Sequence, residues 1–220
     1  MAQNPLVDAT YAFVKEKLSN DKTGHDWWHV VRVLRLSRHI ASKEKGADLL
    51  VVELGALLHD IADWKFHDGD ITAGPRATRE WLESQGADPK IIDRVAYIVE
   101  HVSYRGGTNK HVMQTIEGKI VQDADRLDAL GAIGLARVFT FGGAKQREIY
   151  DPDHKPESHM SFDSYRKTIA TNTTINHFYE KLLLLKDGMH TKTGKALAAH
   201  RHKVMEDYLA EFYKEWDGEL

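Results

Sequence analysis

The chain has no cysteine in its 220 residues. Disulfides and thiolate metal sites are excluded, so any bound metal has to be held by nitrogen and oxygen. An excess of basic charge is missing too. Thirty Lys and Arg against 33 Asp and Glu leave a formal net charge of -3, and composition gives no support for gripping a nucleic-acid polymer. The longest apolar run, Leu49 to Leu58, contains Glu53 and is too short to cross about 30 Å of hydrocarbon, so no membrane span is expected. No basic stretch leads into an apolar one at the start, so no signal peptide is expected and the cytoplasm is the expected compartment. Alternation of apolar and polar residues with period 2 is lacking as well, which argues against strands.

What remains reads as helix. The share of apolar residues, 42%, against 29% charged is that of a folded globular chain rather than a disordered one. The length suits one domain over 1–220, with a core over about 25–130 and a C-terminal helical extension over about 160–216. A first helix is predicted from Pro5 to Leu18, and a second starts at Asp26, a suitable N-cap, and stops before Gly46. Leu49 to Leu58 is apolar nearly all round and belongs inside the protein. Pro75 to Gly86 and a stretch opening at Asp88-Pro89 follow as helices. Ile116 to Leu127 and Ala129 to Phe139 read as one kinked helix or two abutting ones. Gly142 to Pro156 reads as a flexible loop or lid, and Ser161 to Leu185 and Thr193 to Trp216 as long helical segments. The expected fold class is all-α.

The chemistry gathers at Leu54-Gly-Ala-Leu-Leu-His-Asp-Ile-Ala-Asp63, where a buried helix runs into His59, Asp60 and Asp63. Ionised groups at the edge of a core cost roughly several kcal/mol each unless they are paired or hold a metal. Thirteen histidines tilt the expectation toward metal chemistry. His29 upstream and Asp125 downstream, each on its own helix, complete a set of two imidazoles and two carboxylates. Such a set suits a divalent ion such as Mn²⁺, Mg²⁺, Co²⁺, Ni²⁺ or Fe²⁺, with zinc less favoured. Adjacent side chains on a helix point about 100° apart, so His59 and Asp60 can share an ion only at a helix end or edge.

These residues resemble the H…HD…D pattern of the HD-domain superfamily of metal-dependent phosphohydrolases. The matching runs are Gly24-His-Asp-Trp-Trp-His-Val-Val-Arg-Val33, the His59-Asp60 pair, and Asp123-Ala-Asp-Arg-Leu-Asp-Ala-Leu-Gly-Ala132. His177 to Leu183, Thr191 to Gly194 and Arg201 to Met205 also look like the small stand-alone bacterial subfamily. The resemblance implies an all-α fold and a divalent metal, Mn²⁺ favoured, held by His29, His59, Asp60 and Asp125. It also implies hydrolysis of nucleoside triphosphates or related nucleotides by water attack on phosphorus. Asp63 is the expected general acid or base, and Lys65 the expected phosphate-neutralising cation. Related enzymes often carry Glu near this position, so Ile61-Ala62-Asp63-Trp64 shortens the reach. His25, Arg32, His101 and Arg126 are the expected substrate contacts. A nucleoside 5′-monophosphatase, a binuclear phosphodiesterase using His101 and His111, and a metal- and nucleotide-binding sensor without turnover are the alternatives. Trp27, Trp28 and Trp64 read as packing, and Asp123 reads as exposed.

Overall fold

The first turns of the helices explain where the chain changes direction. Asn4, Asp26, Asp48 and Asp88 each accept a backbone N–H one turn into the helix that follows, at 2.8–3.1 Å. Thr173 and Thr191 do the same at 3.2 and 2.8 Å. Each cap satisfies a donor that no helical carbonyl can reach. The structure, a computed structural model, describes residues 4–19, 26–62, 70–104, 112–157, 161, 164 and 172–220. Among them lie nine α-helices: α1 Pro5–Leu18, α2 Trp27–Ala41, α3 Leu49–Leu58, α4 Ala73–Ser84, α5 Pro89–Val102, α6 Ile116–Asp128, α7 Gly131–Ala144, α8 Thr174–Glu180 and α9 Lys192–Trp216. A 3₁₀ helix, Leu182–Gly188, joins the last two, and no strand occurs among the described residues. The fold class is all-α.

The chain forms two compact units, and the division falls inside α6, after Asp125. In the first unit α3 is the central rod. Val51, Val52, Leu54, Ala56, Leu57 and Leu58 are wholly buried, and α1, α2 and α5 pack around them. A Cβ on Gly55 would stand 3.2–3.4 Å from side-chain carbons of Ile98 and Val121, so the missing side chain lets α5 and α6 close on α3. Polar ties set the register. Arg94 of α5 donates to Asp48 at the start of α3 (2.8 Å) and to Glu117 of α6 (2.9 Å), while Glu117 also accepts from the Asp48 backbone N–H. Gln122 of α6 donates to the carbonyls of His101 and Val102, both at 3.0 Å, where α5 runs out of internal donors.

In the second unit α7 and the 3₁₀ helix pack on α9, and α7 also meets α8. Of the two readings of 116–139, two abutting helices is the observed one: α6 ends at Asp128, and α7 starts at Gly131 with φ of +71°, a backbone state that suits glycine. Two expectations are corrected. Ser161 to Leu185 is not one long helix, because Asn172 accepts from the Thr173 N–H (2.9 Å) and Thr173 caps a fresh helix, diverting backbone donors from continuity. The 142–156 stretch is not a free lid over its described residues. Glu148 and Ile149 carbonyls accept from Thr174 and Ile175, the His154 carbonyl accepts from Asn176, and Tyr150 lies edge-on to Phe212, Tyr213 and Trp216.

Among the described residues no single helix is long and apolar enough to cross a membrane. Neighbouring glycines of α7 give a paired test of packing. A Cβ on Gly142 would stand 2.3 Å from Thr174 Oγ1, whereas one on Gly143 would meet nothing within 4 Å. Gly142→Ala is expected to lower stability by about 1–3 kcal/mol. Gly143→Ala is expected to raise it by about 0.5–1 kcal/mol, both read by denaturant unfolding.

Candidate metal centre

Three helices deliver the site, each from its first or last turn. His29 stands in the first turn of α2, where Asp26 accepts its backbone N–H at 2.9 Å. His59 is the residue at which α3 stops. Asp125 lies on the last turn of α6. His29 and His59 are buried at 0% and 4% exposure, whereas the Asp125 side chain keeps 27%. The imidazoles therefore form the floor and Asp125 the side open to water.

The Nε2 atoms of His29 and His59 face each other at 3.1 Å. Asp60 brings a carboxylate oxygen to 3.2 Å from the first and 3.5 Å from the second. Asp125 brings one to 3.5 and 3.8 Å. Among the described residues, His29, His59 and Asp125 form the group whose ligand atoms all lie within 4.8 Å of one another. Ligands about 2.1 Å from one ion stand ~3.0 Å apart on an octahedral edge and ~3.4 Å apart on a tetrahedral one. The observed separations fall in and just beyond that range.

Protonation sharpens the fit. The Nδ1 of His59 is 2.8 Å from the Ala56 carbonyl oxygen. A carbonyl only accepts, so Nδ1 carries the hydrogen and Nε2 presents a lone pair to the centre. The acceptor is one of the carbonyls that α3 leaves unsatisfied by ending at Leu58. A buried lone pair facing a second imidazole and two carboxylates requires a positive charge, and a divalent cation satisfies every member at once. The residues present fit such an ion.

Arg32 is half-buried on α2. His101 ends α5, edge-on to Tyr97 at 4.7 Å and 3.8 Å from Glu100, and it is not in the metal-competent group. Arg126 donates to the Gly188 carbonyl. His25, Asp63, Trp64, Lys65 and His111 lie outside the described residues. Two readings are corrected. Asp123 is fully buried, not exposed, because it shares the inward stripe of α6 with Ile120 and Leu127, three before and four after it. Trp28 is 61% exposed, so it is not a packing residue; Trp27 takes that role, edge-on to Tyr11. Residues that set the register around the site, Arg94, Glu117 and Gln122, carry no local signal, since their partners lie 20 or more residues away in sequence. The helical stripe of α6 could have revealed Asp123.

The HD domain family matches residues 27–130, a span that contains all four residues of the H…HD…D set. A protein of Bacillus subtilis (strain 168), the uncharacterized YpgQ, is 38% identical over 208 residues, covering 94% of this chain and 91% of its own. The chain belongs to the HD-domain superfamily. Solved structures of similar proteins agree along nearly the whole length. A Lactobacillus plantarum protein superposes with a TM-score of 0.88 at 37% identity, covering 99% of this chain and 100% of its own. An HD-superfamily hydrolase of Bacillus thuringiensis does so at 0.71 with 40% identity, covering 96% of each chain. YpgQ has been crystallised in complex with ADP, with a TM-score of 0.73, 36% identity and coverage of 95% and 97%. HD domains bind divalent metals, and this family of metal-dependent phosphohydrolases sets the general class of the chemistry.

Gly55 stands one turn before His59, and its Cβ position is already in contact with α5 and α6. Gly55→Val is expected to cost about 1–3 kcal/mol of stability and to weaken divalent-metal binding by pushing His59 away from its partners. Denaturant unfolding and a metal titration check the two effects separately.

Proposed function

We propose that this HD protein is a divalent-metal-dependent phosphohydrolase that acts on nucleotides, most of all nucleoside triphosphates. His29, His59, Asp60 and Asp125 hold the metal, with Mn²⁺ the favoured ion. The observation that carries this reading is the pair of buried Nε2 atoms at 3.1 Å with the His59 lone pair turned inward. A nucleotide substrate is supported by the ADP complex of YpgQ, which matches nearly the whole chain, and it suits a cytoplasmic place of action.

A bound divalent ion supplies positive charge that polarises a phosphoryl oxygen and makes water acidic enough to react near neutral pH. The chain's own groups do the rest. Ala56 keeps the His59 proton on Nδ1, so that imidazole does not compete for the water's proton. The half-open side at Asp125 admits the phosphate chain. Asp63 takes the proton from the attacking water or returns one to the leaving oxygen. Lys65 neutralises the phosphate, and His25, Arg32, His101 and Arg126 contact the substrate. The chain works in this reading as one HD domain with a C-terminal helical extension.

The test is a panel of nucleoside mono-, di- and triphosphates with the metal stripped by chelation and then restored as Mn²⁺. Phosphate and pyrophosphate release are scored apart. Turnover is expected only with the ion present. It is expected to fall about 100-fold or more in Asp60→Ala and His59→Ala. Asp63→Asn is expected to keep the bound ion and lose rate. A reconstituted protein inert toward the whole panel would overturn the enzymatic reading.

A further inference from the structure

Asp125 is a ligand candidate on the last turn of a helix, the part of a helix that frays and whose carbonyls lack intrahelical donors. The three residues after it open the second compact unit, and each is held by other residues of that unit. Arg126 donates to the Gly188 carbonyl at the end of the 3₁₀ helix. The Leu127 carbonyl accepts from Leu130 N–H and from the guanidinium of Arg201 on α9. Asp128 is buried to 1% exposure and takes Arg137 of α7 at 3.2 Å. Arg201 also faces Asp128, and burial pushes its guanidinium below the ordinary value while the carboxylate opposes that shift. Its aliphatic stem lies against Gly131, where a Cβ would stand 3.0 Å from Arg201 Cγ. The HD family match stops at residue 130, so the clamp is made by a part of the chain that lies beyond it.

We infer that Arg201 is a positioning residue for the metal centre: by holding the Leu127 carbonyl beside the buried charge of Asp128, it fixes the last turn of α6 and with it the carboxylate of Asp125. The guanidinium suits the task because one of its N–H groups donates to the Leu127 carbonyl while its charge favours a helix C-terminus and is attracted by Asp128. The inference rests on the metal-binding reading and adds a consequence to it, namely that ion affinity is set partly from the C-terminal extension.

The test uses the full chain, stripped of metal and titrated with Mn²⁺ while free Mn²⁺ is followed by electron paramagnetic resonance, well below the unfolding temperature. Unfolding of the metal-free proteins is measured alongside. Arg201→Met, which keeps the stem against Gly131, is expected to bind Mn²⁺ about 10–100-fold more weakly while remaining folded. Arg201→Lys is expected to recover part of that loss. A merely structural arginine would lower the metal-free unfolding temperature and leave the affinity within about threefold of wild type, which overturns the inference. Should Arg201→Met fail to fold, Arg201→Lys decides by the same threefold criterion. If wild type itself binds no Mn²⁺, the metal-binding reading fails, an outcome distinct from a wild type and a variant that bind alike.

Discussion

Two imidazole nitrogens 3.1 Å apart in a buried place, with carboxylate oxygens at 3.2–3.8 Å, are the constraint that the surrounding structure has to meet. Left alone, such a set is unfavourable: lone pairs and negative charge are gathered where water cannot screen them. A single proton shared between the rings would relieve only one pair. The donors stay together because the helices that carry them are locked independently of the site. Arg94 ties α3 to α6 through Asp48 and Glu117, Gln122 ties α6 to the end of α5, and α3 is apolar nearly all round. The packing holds these side chains in place without an ion, which is the preorganised geometry that a metal site needs.

The same lock explains why helix ends, rather than helix middles, form the centre. A helix start offers N–H groups and a partial positive charge, and a helix end offers bare carbonyls and a partial negative one. The start of α2 brings His29 with its main-chain donor already engaged by Asp26. The end of α3 brings His59 together with the spare carbonyl that orients it. One structural choice, stopping α3 at Leu58, thus supplies a ligand, its tautomer and the bend that lets neighbouring Asp60 turn toward the same point. Were α3 one turn longer, Ala56 would accept from a helical N–H and the side chains of His59 and Asp60 would diverge.

Much of this was legible in the sequence, for identifiable reasons. Asp26, Asp48-Leu, Asp88-Pro and Asn4-Pro are local signals, and the caps stand where those residues stand. The closeness of His29, His59 and Asp125 was legible because three expensive groups on apolar helices needed partners and had one another. The misreadings share a cause. Asp123 was taken as exposed on residue type alone, although its place in the stripe of Ile120 and Leu127 turns it inward. Trp28 was taken as packing on the same ground. Between 142 and 185 the Asn172–Thr173 cap is a local signal, but the bonds that fasten 148–154, from Thr174 and Ile175 to the Glu148 and Ile149 carbonyls and from Asn176 to the His154 carbonyl, cross 22 or more residues, and no local pattern encodes those.

The C-terminal unit is therefore best understood through α6. That helix begins among the apolar residues around α3, and from Arg126 on its residues belong to the second unit with α7 and α9. A family match over residues 27–130 with relatives that agree over nearly the full length means that the extension travels with this core rather than being an accidental appendage. Physically, an extension that only covered apolar surface would need no buried Asp128 and no arginines around it, since burying such charges costs more than burying leucine unless the geometry is fixed. The polar clamp is expensive in stability and specific in placement. That combination is what a structure adopts when the position of a neighbouring atom, here the carboxylate of Asp125, matters more than the strength of the contact.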